Sequence, residues 1–403
     1  WALRDGRLEH VERVSFADSL GSIWSRVTRI LGMKPWEHEY KVMGLAPYGE
    51  SGRGEELLAR LRRLYTAAEG RLTNTTRRTG IHLERHLERM LRGFRFDHVA
   101  YALQKLTEEV LCTWVSHHVR ATGIARAALA GGCFLNVKAN QAIAALPELE
   151  AVFAYPPAGD ESASVGAALW AWAHEVGLER ALAEAPPLEQ LYLGPDCEDG
   201  IEAALAAWDT SDLEVRRPDD VDLEVARLLA EGEIVARCTG RAEFGPRALG
   251  NRSILCPPHD RAAAERLNRI IKQRDFWMPF ASTLLDRAAD RYLENPKRLS
   301  APFMILTFPT TAEGRRCLAA AIHPADGTTR PQVLTREVNP RFYDLVAAYG
   351  AQTGVEALLN TSFNLHGEPI VASAEDALST LQRSGLQHLA LGPYLIRKRG
   401  PSG

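Results

Sequence analysis

The chain has 403 residues, of which 46% are hydrophobic and 25% charged, and its formal net charge is −3. This profile is typical of a globular protein of two or three domains. It argues against a general nucleic-acid or membrane-surface binder, so any anion site must be local. No apolar run reaches the roughly 18 residues that span a bilayer, and the six cysteines form no CxxC pair. These features predict a cytoplasmic protein with reduced thiols and no membrane attachment.

The first half of the chain predicts alternating strands and helices. A hairpin with an Asp-Gly turn comes first, helical spacing follows over residues 19–33, and residues 39–50 predict a loop because they are rich in glycine and proline. Two amphipathic helices precede residues 124–136, which predict a buried strand that breaks at a Gly-Gly turn. A helix, a second strand, a proline-containing loop and a third helix complete this half.

A shift in composition with two prolines at residues 184–195 predicts a domain boundary. We place the two domains at residues 1–188 and 189–403. The second half again alternates helices and strands, with strands expected near residues 280–285 and 301–308. Alternation of this kind favours a fold of α/β and α+β layers.

The densest polar motif is GRAEFGPRALGNRSIL, at residues 240–255, between two apolar runs. Its glycines let backbone N–H groups approach an anion, and its arginines offer bidentate, permanently charged hydrogen bonds. The alternative is a set of surface ion pairs around a tight turn, but glycine and proline between the arginines favour a site for a triphosphate or an acyl phosphate. The candidate residues of this motif and of the segment after it are Arg241, Arg247, Asn251, Arg252, Ser253, Lys272 and Arg274, with Glu243 and Asp275 expected to orient two of the arginines.

A second polar turn, LLNTSFNLHGEPIV at residues 358–371, follows a predicted strand. Ligands of α/β sheets commonly bind at the carboxyl ends of strands. The amide and hydroxyl groups of Asn360, Ser362 and Asn364 suit a nucleotide or a planar neutral group. The residues leave open the alternative of a turn whose Asn and Ser side chains bond their own backbone.

Two loops of the first half carry further signals. Gly131 and Gly132 allow the backbone to come close to a ligand. Asp160 precedes a small-residue helix, where an aspartate holds a metal or a phosphate or serves as an ordinary N-cap. His82 and His86 have the i, i+4 spacing of a helical metal pair, but the arginines and glutamates around them predict a solvated helix.

In combination these segments resemble the O-carbamoyltransferase family of nodulation and antibiotic-tailoring enzymes, the NodU/CmcH type. The matching blocks occur in the family's order and cover nearly the whole chain. They are EYKVMGLAPYG, GGCFLN, PPAGDESASVGAA, GRAEFGPRALGNRSIL, RDFWMPFA, HPADGTTRPQ and LLNTSFNLHGEPIV.

The resemblance implies two modules. The first is part of an ASKHA-type domain, of the actin, sugar-kinase and heat-shock ATPase superfamily, and the second is a YrdC-like domain. The resemblance further implies that the YrdC-like domain forms carbamoyl adenylate from carbamoyl phosphate and ATP, with magnesium bound to the ATP. The first domain would then transfer the carbamoyl group to a hydroxyl of a small molecule or a glycan at a divalent metal, Fe(II).

The matched blocks assign roles to individual residues of this chain. The resemblance assigns phosphate binding to the C-terminal domain. Adenylyl transfer depends mainly on how the phosphates are positioned and how their negative charge is stabilised. The resemblance implies phosphate contacts by Arg247, Arg252, Ser253, Lys272 and Arg274, nucleotide or carbamoyl contacts by Asn251, Asn360, Ser362 and Asn364, an adenylate-holding loop at Gly131, Gly132 and Asn136, and a metal ligand at Asp160.

The chain departs from the family pattern at two places. The family's two metal histidines precede the VMGLAPYG block, whereas His82 and His86 follow it. The metal role is therefore not assigned to them, and we expect an N-terminal part of the parent protein to precede Trp1. Met278 stands where the family motif has arginine, so the resemblance assigns no phosphate contact to this position.

Two other hypotheses stay open at this point. A tRNA threonylcarbamoyl-type modification enzyme shares both modules, although a net charge of −3 does not provide the basic face that tRNA phosphates need. The other is a shortened, non-enzymatic protein that binds a nucleotide. The sequence is compatible with a homo-oligomer and does not identify the acceptor.

Overall fold

The computed structural model describes residues 1–399, which form two compact units. The first comprises Trp1–Pro187 together with Ile305–Thr307, and the second begins at Leu188 and contains the other described residues. Within residues 1–399, every helix is too short or too polar to cross a membrane.

The N-terminal unit is built around one long helix, Phe96–Thr122, which buries an apolar stripe from Val99 to Val115. A left-handed glycine ends this helix, because Gly123 has φ 71° and its N–H donates to the carbonyl oxygen of Val119 at 2.8 Å. The helices of the unit are α1 (Leu20–Ile30), α2 (Glu39–Leu45), α3 (Gly52–Leu61), α4 (Gly80–Leu91), α5 (Phe96–Thr122), α6 (Val137–Ala144), α7 (Ala163–Val176) and α8 (Leu178–Glu184). Its strands are β1 (Ala2–Arg4), β2 (Arg7–Glu9), β3 (Tyr65–Ala68), β4 (Arg71–Asn74), β5 (Arg126–Leu129) and β6 (Ala151–Ala154).

The strands β5 and β6 form a parallel pair, with Leu129 opposite Ala154. Each of them is followed by a loop and a helix, α6 after β5 and α7 after β6. Because the carboxyl ends of parallel strands meet at one edge, the loop with Gly131 and the loop with Asp160 leave the pair on the same side.

The C-terminal unit consists of a sheet, a separate two-stranded ribbon and the helices around them. Its strands are β7 (Leu213–Arg216), β8 (Val235–Cys238), β9 (Arg252–Cys256), β10 (Ala281–Leu285), β11 (Phe308–Pro309), β12 (Thr328–Thr329), β13 (Pro331–Leu334), β14 (Ala357–Ser362), β15 (His388–Leu391) and β16 (Tyr394–Lys398). Its helices are α9 (Ile201–Ala207), α10 (Val221–Ala230), α11 (Arg261–Leu267), α12 (Ala289–Tyr292), α13 (Ala312–Cys317), α14 (Pro340–Thr353) and α15 (Ala374–Arg383).

The sheet of this unit has eight strands in the order β13-β10-β14-β9-β8-β15-β16-β7. Successive residues of one strand enter opposite apolar layers, because side chains alternate across a sheet. Val235 and Leu255 belong to the layer with α10 and α14, whereas Ala236 and Ile254 belong to the layer with α9, α11 and α15. Burial of both faces accounts for the continuous apolar strands of this half.

The strand register determines which loops lie together. The strand β14 runs antiparallel to both β9 and β10, and β10 runs parallel to β13. Ser253 opposes Ser362, and Ser282 opposes Pro331. The first residues of β9, β10 and β13 and the last residue of β14 therefore lie at one edge of the sheet, which we call the site edge.

Three predicted elements differ from the structure. Residues 39–50, predicted as a loop, form α2 and a 3-10 turn, because a proline in the first turn of a helix loses no hydrogen bond. Of the strand predicted at residues 301–308, only the last residue lies in β11, since the left-handed backbone of Met304 (φ 56°) interrupts an extended chain. The sequence of residues 388–398 predicts one final strand, but the structure has two strands there, β15 and β16, with a turn at Gly392 (φ 53°) between them.

Candidate functional site

Four cationic side chains belong to loops at the site edge. Arg247 precedes β9, Lys272 and Arg274 precede β10, and Arg330 is the residue directly before β13. Lys272 is buried and the three arginines are partly buried. We call these four residues the cationic cluster.

Lys272 is only 3% exposed. Its Nζ donates to Asn364 Oδ1 at 2.6 Å, to the Asn364 carbonyl oxygen at 3.2 Å and to Ser362 Oγ at 3.2 Å. Burial, and then the charge of Arg274, lower the pKa of Lys272 well below its ordinary value. An anion bound beside the ammonium group would favour the charged form again.

Arg274 is held by a strand and an aromatic ring. Its Nη2 donates to Thr361 Oγ1 at 2.9 Å, and its Cζ lies 5.0 Å from the centroid of the Phe280 ring. Its charge also reaches Arg330. Burial first, and then the charges of Arg247 and Arg274, lower the pKa of Arg330 well below its ordinary value.

The charge of Arg274 acts on Lys272, and the charges of Arg247 and Arg274 act on Arg330. Like charges that act on one another repel, and partial burial weakens their hydration. Such a cluster is costly in the free protein and becomes favourable when a ligand with several negative charges binds. The hydroxyl of Ser362 and the amide of Asn364 add neutral hydrogen-bonding groups at the same edge. The arrangement can therefore bind a polyanion such as a triphosphate or an acyl phosphate.

The structure places Arg252 away from this role. Its side chain is 0% exposed. The two terminal nitrogens of the guanidinium donate to backbone carbonyl oxygens, whereas Nε is buried and has no hydrogen-bond partner in residues 1–399. These carbonyls join the loop before β9 to distant segments, so Arg252 holds the loop in place, and we exclude it from the ligand-binding set. At 2.7–3.2 Å, the acceptors are the carbonyl oxygens of Thr239, Asn251, Pro195, Gly240 and Ala372.

Glu243 orients backbone amides, which corrects the expectation that it pairs with an arginine. Its Oε1 accepts hydrogen bonds from the N–H groups of Leu249 at 2.7 Å, Asn251 at 2.8 Å and Arg252 at 3.3 Å. The amides that seemed available for an anion are thus already bonded to a carboxylate of the protein. The loop acts as a fixed support for Arg247.

Two more expected contact residues brace this loop from inside. Ser253 is 0% exposed, and its Oγ accepts from the Gly250 N–H at 3.0 Å. The Oδ1 of Asn251 accepts from Asn339 Nδ2 at 3.0 Å and from Arg237 Nη1 at 3.3 Å. These contacts of both side chains lie within the protein and support the loop.

Asn360 lies in the middle of the sheet and is 1% exposed. Its Nδ2 donates to Thr283 Oγ1 at 2.9 Å and to the carbonyl oxygen of Ala248 at 3.3 Å, so it fixes the residue after Arg247. Its Oδ1 is buried and has no hydrogen-bond partner in residues 1–399. Asn360 therefore positions the loop that carries Arg247, and its Oδ1 is an acceptor to which a bound ligand could donate a hydrogen bond.

Arg330 is the member of the cluster that the motif analysis did not select. It follows a tight turn in which the buried His323 donates its backbone N–H to the Thr328 carbonyl oxygen at 2.7 Å. Thr329 Oγ1 lies 3.0 Å from Ser282 Oγ, which anchors the turn beside β10. The available signal was an Asp-Gly-Thr turn followed by an arginine directly before a strand.

The glycine loop of the N-terminal unit has open space above it. Gly131 has φ 103°, and a Cβ at Gly131 or Gly132 would meet no atom within 4 Å. Asn136 caps α6 by accepting from the Ala139 N–H at 3.0 Å, and it pairs with Gln104 in both directions at 2.9 and 3.1 Å. The amide of Asn136 therefore fixes the start of α6, while the glycines leave room for a ligand.

Residues from the later part of the sequence also secure this loop. Asn140 is 0% exposed, and its Nδ2 donates to the carbonyl oxygens of Phe134 at 2.8 Å and Ile305 at 3.0 Å. Thr307 Oγ1 donates to the Val137 carbonyl oxygen at 3.2 Å. Ile305–Thr307 therefore brace the turn between the glycines and α6.

Asp160 is exposed and opens a short 3-10 helix, and the N-cap of α7 is Ser162. In residues 1–399, no three side chains of His, Cys, Asp or Glu gather as metal ligands would. Residues 1–399 therefore do not by themselves supply a complete ligand set for the expected divalent metal, and no step of the proposed reaction runs through a metal ligand of this chain. His82 is exposed on α4, as expected for a solvated helix.

The two halves of the chain match two family models. Residues 1–169 match the carbamoyltransferase N-terminus, and residues 226–398 match the carbamoyltransferase C-terminus. A solved structure of full-length HypF in the phosphate- and nucleotide-bound form aligns with 46% of this chain and 22% of its own, at 22% identity. Its TM-score of 0.32 is too low to support an argument about the fold.

Relatives extend the similarity over both halves. The nodulation protein NolNO of Sinorhizobium fredii is 36% identical over 393 residues, which cover 96% of this chain and 56% of the relative. NolO of Bradyrhizobium diazoefficiens is 36% identical over 401 residues, 96% of this chain and 71% of the relative. Nodulation protein U of Rhizobium tropici is 33% identical over 272 residues, 67% of this chain and 43% of the relative. The chain spans only part of the length of these proteins, and it belongs to the carbamoyltransferase family.

Proposed function

We propose that the C-terminal unit is a YrdC-like domain that binds ATP and carbamoyl phosphate at the cationic cluster and forms carbamoyl adenylate. The observation that carries this proposal is the convergence of Arg247, Lys272, Arg274 and Arg330 on one sheet edge from three separate loops. Membership of the carbamoyltransferase family supports the carbamoyl group as the group that is transferred.

Charge explains why such a cluster suits this reaction. ATP and carbamoyl phosphate are both anions and repel each other, and magnesium bound to ATP offsets only part of that charge. Guanidinium and ammonium groups fixed in a poorly hydrated crevice neutralise the rest without reorganising during the reaction. Arg274 and Lys272 are already held by neutral partners, so they are oriented before the ligand arrives.

Atom balance defines the step. One ATP, one carbamoyl phosphate and one water give carbamoyl adenylate, pyrophosphate and phosphate. Water releases phosphate from carbamoyl phosphate, a carbamate oxygen forms the new bond to the α-phosphorus of ATP, and the bond between the α- and β-phosphates breaks. The cluster would hold the phosphate oxygens in place and offset the charge on the departing pyrophosphate.

The N-terminal unit would supply part of the transfer site as part of an ASKHA-type domain. The open space above Gly131 and Gly132, and the exit of the Asp160 loop on the same side of the β5–β6 pair, support this part of the proposal. The acceptor would be a hydroxyl of a small molecule or a glycan. Asp160 would act there only together with ligands from outside residues 1–399.

Exchange of labelled pyrophosphate into ATP, with and without carbamoyl phosphate, tests the activation step in the full chain. We expect exchange that depends on carbamoyl phosphate and falls at least about ten-fold in Arg330→Gln, since a hydrogen bond to a charged group contributes roughly 1.5–3 kcal/mol. Arg241→Gln is the matched control, because Arg241 donates to the carbonyl oxygens of Gly194 at 3.1 Å and Leu193 at 2.8 Å. Absence of exchange in a folded sample, or equal rates in both variants, would refute the proposal.

A further inference from the structure

Two members of the cationic cluster, Lys272 and Arg274, are separated by one residue with an unfavourable backbone. Helix α11 is followed by a single turn of π-helix, Asn268–Lys272, and the next residue, Gln273, has a left-handed backbone with φ 44°. Turns of π-helix are rare and frequently occur at functional sites. A left-handed backbone is unfavourable for a residue that has a side chain. The segment therefore needs contacts that hold it in this conformation.

Asn268 supplies three of these contacts. Its backbone carbonyl oxygen accepts the N–H of Gln273 at 2.7 Å. Its side chain binds the backbone of Arg274 at two points, because Nδ2 donates to the Arg274 carbonyl oxygen at 3.0 Å and Oδ1 accepts from the Arg274 N–H at 2.8 Å. Since the donor and the acceptor belong to one planar amide, the two hydrogen bonds together fix the orientation of the Arg274 backbone.

The fixed backbone determines how the two cationic side chains are placed. Lys272 Nζ donates to Ser362 Oγ at 3.2 Å. Arg274 Nη2 donates to Thr361 Oγ1 at 2.9 Å, so the two cations contact consecutive residues of β14. A change in the backbone between them would move the ammonium group and the guanidinium group relative to each other.

This spacing matters because charged groups stabilise a phosphate best when they are held in place before the ligand arrives. We propose that Asn268 is the positioning residue of the cationic cluster, and that its amide sets the geometry in which Lys272 and Arg274 bind a polyanion. Asn268 acts through the backbone of Arg274 and needs no contact with the ligand. The inference rests on the proposed function, since it takes the cluster as the polyanion site.

The chain contains the same type of contact away from the cluster. Asn295 Nδ2 donates to the Leu299 carbonyl oxygen at 2.9 Å, and its Oδ1 accepts from the Leu299 N–H at 2.9 Å. This loop follows α12 and carries no residue of the cationic cluster. Asn295→Ala is therefore the matched control for Asn268→Ala, because each variant loses one amide that holds a single residue at two points.

Gln273 offers a second comparison. Its side chain is exposed, so replacing it with glycine removes little packing. Glycine adopts a left-handed backbone without strain, but it also leaves the chain freer to move. Gln273→Gly should therefore restore stability to Asn268→Ala without restoring the position of Arg274.

Equilibrium binding of inorganic tripolyphosphate and unfolding in urea, both measured on the full chain, test the positioning role. We expect Asn268→Ala to raise the Kd of tripolyphosphate by at least about five-fold, whereas Asn295→Ala keeps it within about two-fold of the wild type. Both variants should lower the urea midpoint, because each loses two hydrogen bonds. The double variant Asn268→Ala/Gln273→Gly should have a higher midpoint than Asn268→Ala and the same raised Kd.

Each other outcome contradicts a specific statement. An unchanged Kd in Asn268→Ala, with tripolyphosphate bound by the wild type, refutes the positioning role and leaves the proposed function intact. An equal rise in Asn295→Ala, or recovery of the wild-type Kd in the double variant, also refutes it, because affinity would then follow stability alone. If the folded wild type binds no tripolyphosphate, the proposed function fails and the positioning role fails with it.

Discussion

The Nζ of Lys272 lies 2.6 Å from the Oδ1 of Asn364, a residue 92 positions later in the sequence. The lysine lies in the loop that leads to β10, and the asparagine comes two residues after the end of β14. Because β10 and β14 are antiparallel neighbours, pairing of these strands brings the two side chains together. The cationic cluster is therefore assembled by folding of the sheet and does not exist as a local motif.

The arginines of the cluster should each contribute to polyanion binding. We expect Arg247→Gln, Arg274→Gln and Arg330→Gln each to raise the Kd of tripolyphosphate by about ten- to a hundred-fold, since each removes a charge-assisted hydrogen bond. Isothermal titration calorimetry measures this change. Arg241→Gln removes an arginine of the same motif outside the cluster and should leave the Kd as it is. A uniform small loss in all four variants would indicate only general electrostatic attraction.

The buried ammonium of Lys272 should make stability depend on pH. Its pKa is lowered in the folded state and returns to about 10.5 in the unfolded chain. Between these two values the unfolded chain binds more protons, so the free energy of unfolding rises with pH and the cost of the buried charge disappears above 10.5. Below the lowered pKa the full cost is present.

Chemical unfolding at several pH values between neutral and about pH 10 measures this effect. The comparison is with Lys272→Met, which removes the titrating group and keeps most of the volume. The wild type should gain stability with rising pH relative to the variant, and bound tripolyphosphate should flatten that gain because the anion favours the charged lysine. Parallel pH profiles without the anion would show that Lys272 keeps an ordinary pKa.

Arg252 provides a test that separates support from ligand binding. Its replacement by Met removes the donor of five hydrogen bonds to backbone carbonyl oxygens, and we expect the free energy of unfolding to fall by about 3–5 kcal/mol. The folded fraction should bind ATP with the affinity of the wild type. Lost ATP affinity at unchanged stability would return Arg252 to the ligand-binding set that the family motif implies.

Gly250 should resist substitution by any larger residue. It has φ 121°, and a Cβ there would clash with the buried ring of Phe342. Gly367→Ala is the control, because Gly367 has φ 81° and open space around it, so that only backbone strain of about 1 kcal/mol is expected. We expect Gly250→Ala to lose at least about 2 kcal/mol more than the control in chemical unfolding. Equal losses would mean that the ring moves aside.

Much of the fold follows from local sequence pattern. The apolar strands around residues 235–256 and the Gly-Gly break after β5 lie where periodicity and turn residues predict them. The loop predicted at residues 39–50 is helical because the apolar side chain of Val42 and the backbone of Gly44 are buried in the unit. Glycine and proline locally favour a loop, but burial against elements that are distant in sequence overrides that preference. A single sequence does not show which distant elements will pack against a segment.

The candidate site was predictable in part for a similar reason. Arg247 and Arg274 lie in motifs that predict an anion site, and the structure brings both to the site edge. Arg252 shares the motif but points into the protein, because a strand alternates its faces. Arg330 reaches the same edge only through the pairing of β13 with β10, a contact between segments that are far apart in sequence.

A crystal structure of the full chain with ATP, magnesium and carbamoyl phosphate tests the central claim most directly. The account predicts phosphate oxygens within about 3 Å of side-chain nitrogens of Arg247, Lys272, Arg274 and Arg330. Phosphates bound at another place, with these four side chains free of ligand, would contradict it.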